Sequence, residues 1–369
     1  MENKNLINLI LLSITAILLI SCLTEDKLKL PFSTYEPMEL NDGWKLSSPE
    51  KEGIDQKELD LIYRYVHENK DLWQIRSLLI FRNGQLVAES YTKNRQDATQ
   101  PRAVWSCTKQ IIGILTGIAI EKGYIKDTHS TIGEYLPEWT MQYPDKQNIT
   151  IDNLLKMKSG IDFENDGAKG QSAMLLRQIP SSSLDFILSL PYRASQGELF
   201  NYNDGDPQLL SAILQKQTQK STALWASEIL LSPLGIKNWD WICYKDGITL
   251  GAFGILTTPR ELSKIGQLVL NNGQWGNQQI VNRQWICKMT TPKVTAGETA
   301  IDKPFGYYWW LDPNRDMLFM YGHGGQYVFI NRAKKLMVTI TAEPNTQGKH
   351  SLMPDKAIAI YDRIVEITF

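Results

Sequence analysis

A serine and a lysine, Ser106 and Lys109, stand three residues apart where a long apolar segment begins. If that segment is a helix, both side chains lie on one face of its first turn, beside backbone N–H groups that have no partner within the helix. A serine hydroxyl becomes a nucleophile when a base takes its proton, and a lysine can be that base if burial lowers its pKa. The pair is therefore a candidate nucleophile and base, and the alternative is a solvated cap of a core helix.

The segment behind this pair has the pattern of a buried helix. Apolar side chains over positions 111–120 cover most of a helical wheel, and Gly113 and Gly117 take much of the rest. These glycines are four residues apart on one face, which would let another backbone come close. A second Ser-x-x-Lys, from Ser48 to Lys51, lies in a charged stretch with a proline beside the serine. We interpret that second copy as a surface turn.

Tyr202 lies in a turn-rich loop over positions 200–205, just before a helical pattern that includes Gln208. Held over Ser106 and Lys109, a phenol could relay a proton between nucleophile and leaving group, provided that a nearby cation stabilises its phenolate. The alternative is a loop tyrosine packed on the core.

A glycine-rich turn, which contains His323, Gly324 and Gly325, separates two apolar segments that have the character of strands. Glycine lets a ligand approach the backbone closely, and the N–H after such a turn can face an acyl oxygen. His323 could stay neutral and donate a hydrogen bond, or carry a charge and hold a substrate carboxylate. The alternative is a plain glycine turn.

The overall composition is that of a globular protein. The 369 residues are 43% hydrophobic and include 11 Trp, which allows one large domain or two interleaved ones. The formal net charge is −1, and the longest basic run is Lys334-Lys335. This charge pattern argues against nucleic acid as a partner.

The N-terminus has the pattern of a bacterial lipoprotein signal peptide over residues 1–21. An apolar run from Leu6 to Ile20 is too short for a comfortable membrane span, and it ends in a lipobox-like sequence that places Ser21 before Cys22. We expect Cys22 to carry a lipid anchor and residues 22–45 to form a tether. The protein would then lie in the bacterial cell envelope and face the periplasm or the cell exterior. The alternative is an uncleaved anchor helix.

The other cysteines, Cys107, Cys243 and Cys287, have neither the number nor the spacing of a metal site or a full disulfide framework. We expect them to be free and mostly buried. Cys107 follows Ser106 directly, but one helical position turns it about 100° away from the face that Ser106 shares with Lys109.

The order of predicted elements indicates an α+β fold. A helix over 55–67 precedes two strands, 77–81 and 85–91, that flank the hairpin dipeptide Asn83-Gly84. Residues 106–270 have mainly helical patterns. Strands return at 317–321, 327–330 and 336–342, before a last helix near 354–367. We therefore predict an antiparallel sheet built from 46–105 and 271–369, flanked by helices, with 106–270 as an inserted α-rich part and the serine at the boundary.

Taken in order, Ser-x-x-Lys, Tyr-x-Asx and His-Gly-Gly resemble the motifs of the serine β-lactamase-like superfamily, and 6-aminohexanoate-dimer-hydrolase-like proteins most of all. The similarity extends from about Ser48 to the C-terminus. Other segments that carry it are Arg82-Asn-Gly-Gln-Leu-Val87, Leu154-Leu-Lys-Met-Lys-Ser-Gly160, Pro233-Leu-Gly-Ile236 and Gly306-Tyr-Tyr-Trp-Trp310. The resemblance implies a β-lactamase/transpeptidase-like fold, with an αβα sandwich and a helical domain, and neither a metal nor an organic cofactor.

The same resemblance implies roles for single residues. Ser106 would be the acylated nucleophile, Lys109 its base partner and Tyr202 the second proton-transfer group. The oxyanion hole would consist of the backbone N–H groups of Ser106 and Gln326. His323, Gly324 and Gly325 would form the strand that lines the acyl group.

Two departures from the family pattern concern charge. Asp204 stands where many relatives have asparagine, and its negative charge near Lys109 would favour the protonated lysine and oppose its role as base. His323 stands where β-lactamases often have lysine, so the site has a weaker fixed cation for a substrate carboxylate. Both departures weaken the prediction of a β-lactamase and are compatible with other hydrolases.

The main functional prediction is a serine hydrolase that cleaves an ester or amide bond of a small-molecule or peptide-like substrate through an acyl-enzyme. β-Lactams remain among the candidate substrates. The alternative is a catalytically impaired, lipid-anchored binding protein on the same scaffold, with Asp204 as the sign of lost catalysis. The sequence leaves the oligomeric state open.

Overall fold

The computed structural model describes residues 29–165, 171–178, 181–299, 301–344 and 351–369. Its strands are β1 (Lys45–Leu46), β2 (Ile75–Arg82), β3 (Gln85–Tyr91), β4 (Arg102–Ala103), β5 (Trp239–Trp241), β6 (Ile255–Thr257), β7 (Gln274–Trp275), β8 (Gln278–Gln279), β9 (Trp310–Asp312), β10 (Met317–Gly322), β11 (Gln326–Asn331) and β12 (Leu336–Ala342).

Its helices are α1 (Gln56–Glu68), α2 (Cys107–Glu121), α3 (Ile132–Tyr135), α4 (Pro137–Thr140), α5 (Ile151–Leu155), α6 (Gln171–Gln178), α7 (Ser183–Ser189), α8 (Gly205–Thr218), α9 (Thr222–Ala226), α10 (Pro259–Leu270), α11 (Arg283–Met289) and α12 (Pro354–Glu366). A π-helical turn, Ser227–Leu231, continues α9.

The main sheet has seven strands in the order β1-β3-β2-β12-β11-β10-β9. β1 pairs with β3 in parallel, and the other neighbours are antiparallel. The β2–β3 hairpin turns at Asn83 and Gly84, which both have positive φ (52° and 78°), as a tight two-residue turn requires. β12 pairs with β2 and so joins the two ends of the chain, which confirms the predicted sheet.

Helices cover both faces of this sheet. On one face, α12 packs through Tyr361 against Phe329 of β11, with ring centroids 5.2 Å apart. On the other face, Ser263 of α10 bonds Thr339 of β12 with an oxygen–oxygen distance of 2.7 Å. A Cβ on Gly266 of α10 would lie 2.6 Å from side-chain atoms of β11 and β12, so its absence lets the helix approach the sheet. The result is the expected αβα sandwich.

The α-rich part was predicted to extend through residue 270, but α10 packs on the sheet. The sequence shows the helical period of α10 clearly. It does not show what α10 packs against, because the contacting strands lie about 60 to 80 residues further along the chain. The α-rich block is therefore built around α2 and α8, with the short helices between them and a small sheet in the order β4-β6-β5.

Helix α2 is buried along nearly its whole length, as predicted. Its two glycines each accommodate a close neighbour. Trp285 of α11 packs against Gly117, and its indole N–H donates to the carbonyl oxygen of Gly113 at 3.0 Å. The neighbour at Gly117 is therefore an aromatic side chain, whereas the backbone carbonyl of Tyr307 comes close to Gly113, as the glycine spacing predicts.

Residues 22–45 were predicted to form a tether, but the described residues of this segment, 29–45, are bound to the folded body. Residues 29–45 run along the outer edge of β3, where Leu30 N–H donates to Thr92 and Glu89 N–H donates to the carbonyl of Tyr35. Tyr35 and Trp44 are buried. The polar composition with its prolines suggests a free linker, but these aromatic side chains anchor the segment. The signal peptide over 1–21 and Cys22 lie outside the described residues.

Among the described helices, none combines the length and apolar character needed to span a membrane.

We predict that Gly117→Ala destabilises the fold by about 1–3 kcal/mol, because an added Cβ would lie 2.1 Å from the Trp285 indole. Gly297→Ala is the matched control, since nothing lies within 4 Å of its Cβ position. Urea denaturation of both variants and the parent measures the change. Equal midpoints for the two variants would contradict the packing argument.

Candidate active site

Ser106 and Lys109 meet at the start of α2. Trp105 has a positive φ of 50° and turns the chain into the helix, and Ser106 directly precedes the first helical residue. The Lys109 Nζ atom lies 3.1 Å from the Ser106 Oγ atom. The lysine is 1% exposed, whereas the serine is partly exposed. The structure therefore brings the predicted pair together, with the serine on the solvent side.

The Tyr202 hydroxyl is one neighbour of the Lys109 amine, and three further oxygen atoms lie within hydrogen-bond distance of it. Besides Ser106 Oγ, these are Asp204 Oδ1 at 2.8 Å and the carbonyl oxygen of Ala252 at 3.0 Å. A carboxylate and a carbonyl only accept hydrogen bonds, so they take two N–H groups of the lysine. An ammonium group donates its third N–H to Ser106, whereas a neutral amine presents its lone pair there. Lys109 can take the serine proton only in the neutral form.

The local charges favour the ammonium form of Lys109. Burial lowers the pKa of Lys109, but Asp204 and Tyr202 raise it by more, so the pKa lies above its ordinary value. Burial also raises the pKa of Tyr202, and the Lys109 charge and the Ser106 hydroxyl offset only part of that rise. Both groups are thus protonated in the resting site near neutral pH.

Asp204 is held from two sides. It directly precedes α8, and its Oδ1 atom accepts hydrogen bonds from Lys109 and from Asn165 Nδ2, the latter at 3.0 Å. The backbone N–H of Asp204 donates to Asn165 Oδ1 at 2.9 Å. The carboxylate therefore points at Lys109, and a second donor shares its charge. Sequence reasoning missed Asn165, since no motif marks that loop position.

Tyr202 lies over the serine–lysine pair. Its hydroxyl interacts with Ser106 and Lys109, and the Lys109 Nζ atom lies 5.0 Å from the centre of its ring. Its ring packs beside Trp310, with centroids 5.7 Å apart. The backbone of the neighbouring Asn201 donates to Met157 at 2.9 Å and holds the loop. These contacts bring Tyr202 together with the predicted serine–lysine pair.

The turn between β10 and β11 lies against the start of α2. Gly324 and Gly325 have φ values of 84° and 113°, and a Cβ on either would lie within 2.6 Å of Pro344 or Leu352. Glycine is required at both positions because of this backbone and these neighbours. His323 is exposed, with its ring centre 5.4 Å from that of Trp105.

Gln326 begins β11 beside the nucleophile. The Cys107 thiol donates to its carbonyl oxygen at 3.6 Å, so the backbone of Gln326 is adjacent to the segment that carries Ser106. The side-chain amide of Gln326 donates to the carbonyl of Ala342 at 2.6 Å. The side-chain amide of Gln326 is thus engaged with β12, and its backbone lies beside the segment that carries Ser106.

The cysteines match the predictions in part. Cys107 is buried, its thiol is directed at β11, and burial raises its pKa, so it is no competitor for Ser106. Cys243 and Cys287 are exposed, so the expectation of burial is wrong for both. Cys243 lies just after β5, in an isolated bridge with Thr249, and Cys287 lies at an exposed position of α11. Over the part of the chain that the structure describes, no cluster of His, Cys, Asp or Glu could hold a metal ion.

Known proteins resemble this chain in sequence and in fold. A family model described as Beta-lactamase matches residues 76–362. The 6-aminohexanoate-dimer hydrolase of Paenarthrobacter ureafaciens is 22% identical over 300 residues, which cover 74% of each chain.

Two solved structures show the same fold. One is a family VIII carboxylesterase, with a TM-score of 0.68 and 16% identity over 87% of this chain and 98% of that one. The other is a class C β-lactamase, with a TM-score of 0.65 and 15% identity over 84% of this chain and 95% of that one. Because the family model covers most of the sequence, and the solved structures share the fold, this chain belongs to the β-lactamase family of serine hydrolases.

Proposed function

We propose that this protein hydrolyses esters or amides of small molecules through an acyl-enzyme on Ser106. The observation that carries the proposal is the 3.1 Å contact between Ser106 Oγ and Lys109 Nζ, with the Tyr202 hydroxyl beside both. A nucleophile, a base and a second proton-transfer group thus share one site.

In the proposed acylation step, Ser106 Oγ attacks the substrate carbonyl carbon while its proton passes to neutral Lys109. The backbone N–H groups of Ser106 and Gln326 stabilise the oxyanion. Tyr202 then conducts a proton to the leaving alcohol or amine as its bond to the acyl carbon breaks. Water, activated by the same groups, releases the acid and regenerates the serine.

Asp204 sets the fraction of enzyme that is active at a given pH. Its carboxylate stabilises the ammonium form of Lys109, and that form cannot accept the serine proton. The hydrogen bond from Asn165 shares the charge of Asp204 and limits this effect. We infer that the enzyme works through a minor, neutral-lysine population near pH 7, which rises with pH.

The proposed substrates lack a carboxylate next to the scissile bond. His323 is exposed at the position where a fixed lysine would bind such a group, and the negative charge of Asp204 lies within the site. Similarity to a family VIII carboxylesterase and to a 6-aminohexanoate-dimer hydrolase supports hydrolysis of an ester or amide as the reaction. The comparisons give no support to the alternative of a binding protein without catalysis.

We further propose that the protein is lipid-anchored at Cys22 in the bacterial envelope, because a lipobox-like sequence follows the apolar core of residues 6–20.

We expect Ser106→Ala, Lys109→Ala and Tyr202→Phe each to lower kcat/KM for a p-nitrophenyl ester by about a hundredfold or more, since each removes a proton-transfer or nucleophilic group. Steady-state kinetics on the soluble body measures the loss, and circular dichroism checks the fold. Ser48→Ala is the control and keeps full activity. The assignment fails if the Ser106→Ala variant turns over the ester at the parent rate.

The pH profile tests the role of Asp204. In the parent, kcat/KM rises with pH because neutral Lys109 increases as the pH approaches its raised pKa. Asp204→Asn removes the charge that holds the proton, so the rising limb moves to lower pH. A shift of one pKa unit increases the neutral lysine, and the rate at pH 7, about tenfold. Superimposable profiles for parent and variant would exclude Lys109 as the base.

Lipid attachment is tested by Cys22→Ser in a bacterial host that processes lipoproteins. We expect the parent to incorporate a labelled fatty acid and to fractionate with membranes, and the variant to do neither. Cys243→Ser is the control, because that cysteine lies in the folded body. Labelling of the Cys22→Ser variant would rule out this anchor.

A further inference from the structure

A cavity lies at the outer edge of β3, and Ser106 is not among the residues that line it. It has a volume of about 250 Å³ and is bounded by the N-terminal segment and the end of the strand. Its lining includes Leu30, Met38, His67, Glu89, Ser90 and Arg95. β2 and β12 separate β3 from β11, which puts this edge about 14 Å from the strand beside Ser106. The cavity is therefore distinct from the candidate active site.

A buried histidine and serine face each other in this cavity. His67 Nε2 lies 2.8 Å from Ser90 Oγ, and His67 Nδ1 lies 3.0 Å from the carbonyl oxygen of Leu30. A carbonyl oxygen only accepts, so Nδ1 carries the hydrogen and donates it. Burial lowers the pKa of His67, which keeps the ring neutral at pH 7. Nε2 then has a free lone pair, and the Ser90 hydroxyl donates to it.

This tautomer is the one that a serine nucleophile needs. The base faces the hydroxyl through an unprotonated nitrogen, and a fixed acceptor on the opposite nitrogen orients the ring. Here the acceptor is the Leu30 carbonyl, which also stabilises the imidazolium that forms when Nε2 takes a proton. A carbonyl supplies less stabilisation than a carboxylate, so we expect slow chemistry.

A backbone donor lies next to the serine. Residues two apart on a strand direct their N–H groups to the same edge, and the Glu89 N–H donates outward to Tyr35. The Tyr91 N–H, directly after Ser90, therefore faces this outer edge as well. Glu89 and Tyr91 both line the cavity. An acyl oxygen held there would meet a donor beside the nucleophile.

We propose that Ser90 and His67 form a second nucleophilic site, at which Ser90 is acylated by small activated esters. Ser90 Oγ bonds to the acyl carbon as its proton moves to His67 Nε2. The bond from the acyl carbon to the leaving oxygen then breaks, and the alcohol departs with that proton. The products are acyl-Ser90 and one alcohol. The small cavity limits the acyl group to a few carbon atoms.

The test uses Ser106→Ala, which lacks the proposed main nucleophile and so separates the two sites. The variant is incubated with p-nitrophenyl acetate, digested and mapped by mass spectrometry. We expect an acetyl group on Ser90 and its absence from the Ser106→Ala/Ser90→Ala double variant. No acetyl group on Ser90 of the Ser106→Ala variant overturns the proposal, whatever the parent does with esters.

A second variant tests the base. His67→Gln in the Ser106→Ala background keeps a side-chain amide of similar length but removes the base, and it should slow Ser90 acetylation about a hundredfold or more. An unchanged rate overturns the role of His67. Ser48→Ala in the same background is the control and leaves the rate unchanged.

The pH dependence of acetylation gives a further readout. The rate should be constant above the lowered pKa of His67 and fall below it, because the protonated ring cannot accept the serine proton. The charged groups that act on His67 are Lys29, which lowers its pKa, and Glu68, which raises it. A rate that continues to rise through pH 8 would mean that free hydroxyl ionisation, and not His67, controls the reaction.

Discussion

The buried contact between Lys109 and Asp204 constrains the rest of the site. Both side chains are almost fully buried and lie 2.8 Å apart, so neither charge can be removed without leaving the other unpaired in a low-dielectric interior. α2 supplies the lysine, and the loop before α8 supplies the aspartate. Because these elements must stay packed for the pair to persist, the ion pair links the position of Ser106 to that of Tyr202, two residues before Asp204.

The parts of the fold that the sequence predicts are those with strong local patterns. The β2–β3 hairpin follows from Asn83-Gly84, and α2 follows from an unbroken apolar run, so both are confirmed close to their predicted bounds. The sequence does not predict which elements pack against each other, because those contacts join residues that are far apart along the chain. The position of α10 on the sheet and the docking of residues 29–45 could not be derived from periodicity or composition.

The site shows the same division. Ser106 and Lys109 are three residues apart on one helix, so their contact follows from helical geometry alone. Asn165 and the Ala252 carbonyl reach the same centre from 39 residues before Asp204 and 143 residues after Lys109. A backbone carbonyl carries no signature in its residue type, and a single asparagine in a loop carries little. The sequence therefore indicates that a negative charge lies near Lys109. It does not predict which other groups bind Lys109 and Asp204.

The groups around Lys109 orient its amine toward Ser106, and they also raise its pKa, which favours the protonated form. Asp204 and the Ala252 carbonyl each fix one N–H of the amine, so the remaining valence faces Ser106 in either protonation state. An asparagine in place of Asp204 would still accept one N–H through its side-chain oxygen, but without a negative charge. Orientation and charge are thus separable here: the hydrogen bond positions the Lys109 amine, while the charge of Asp204 favours its protonated form. An aspartate at this position therefore holds the lysine firmly and at the same time favours its ammonium form.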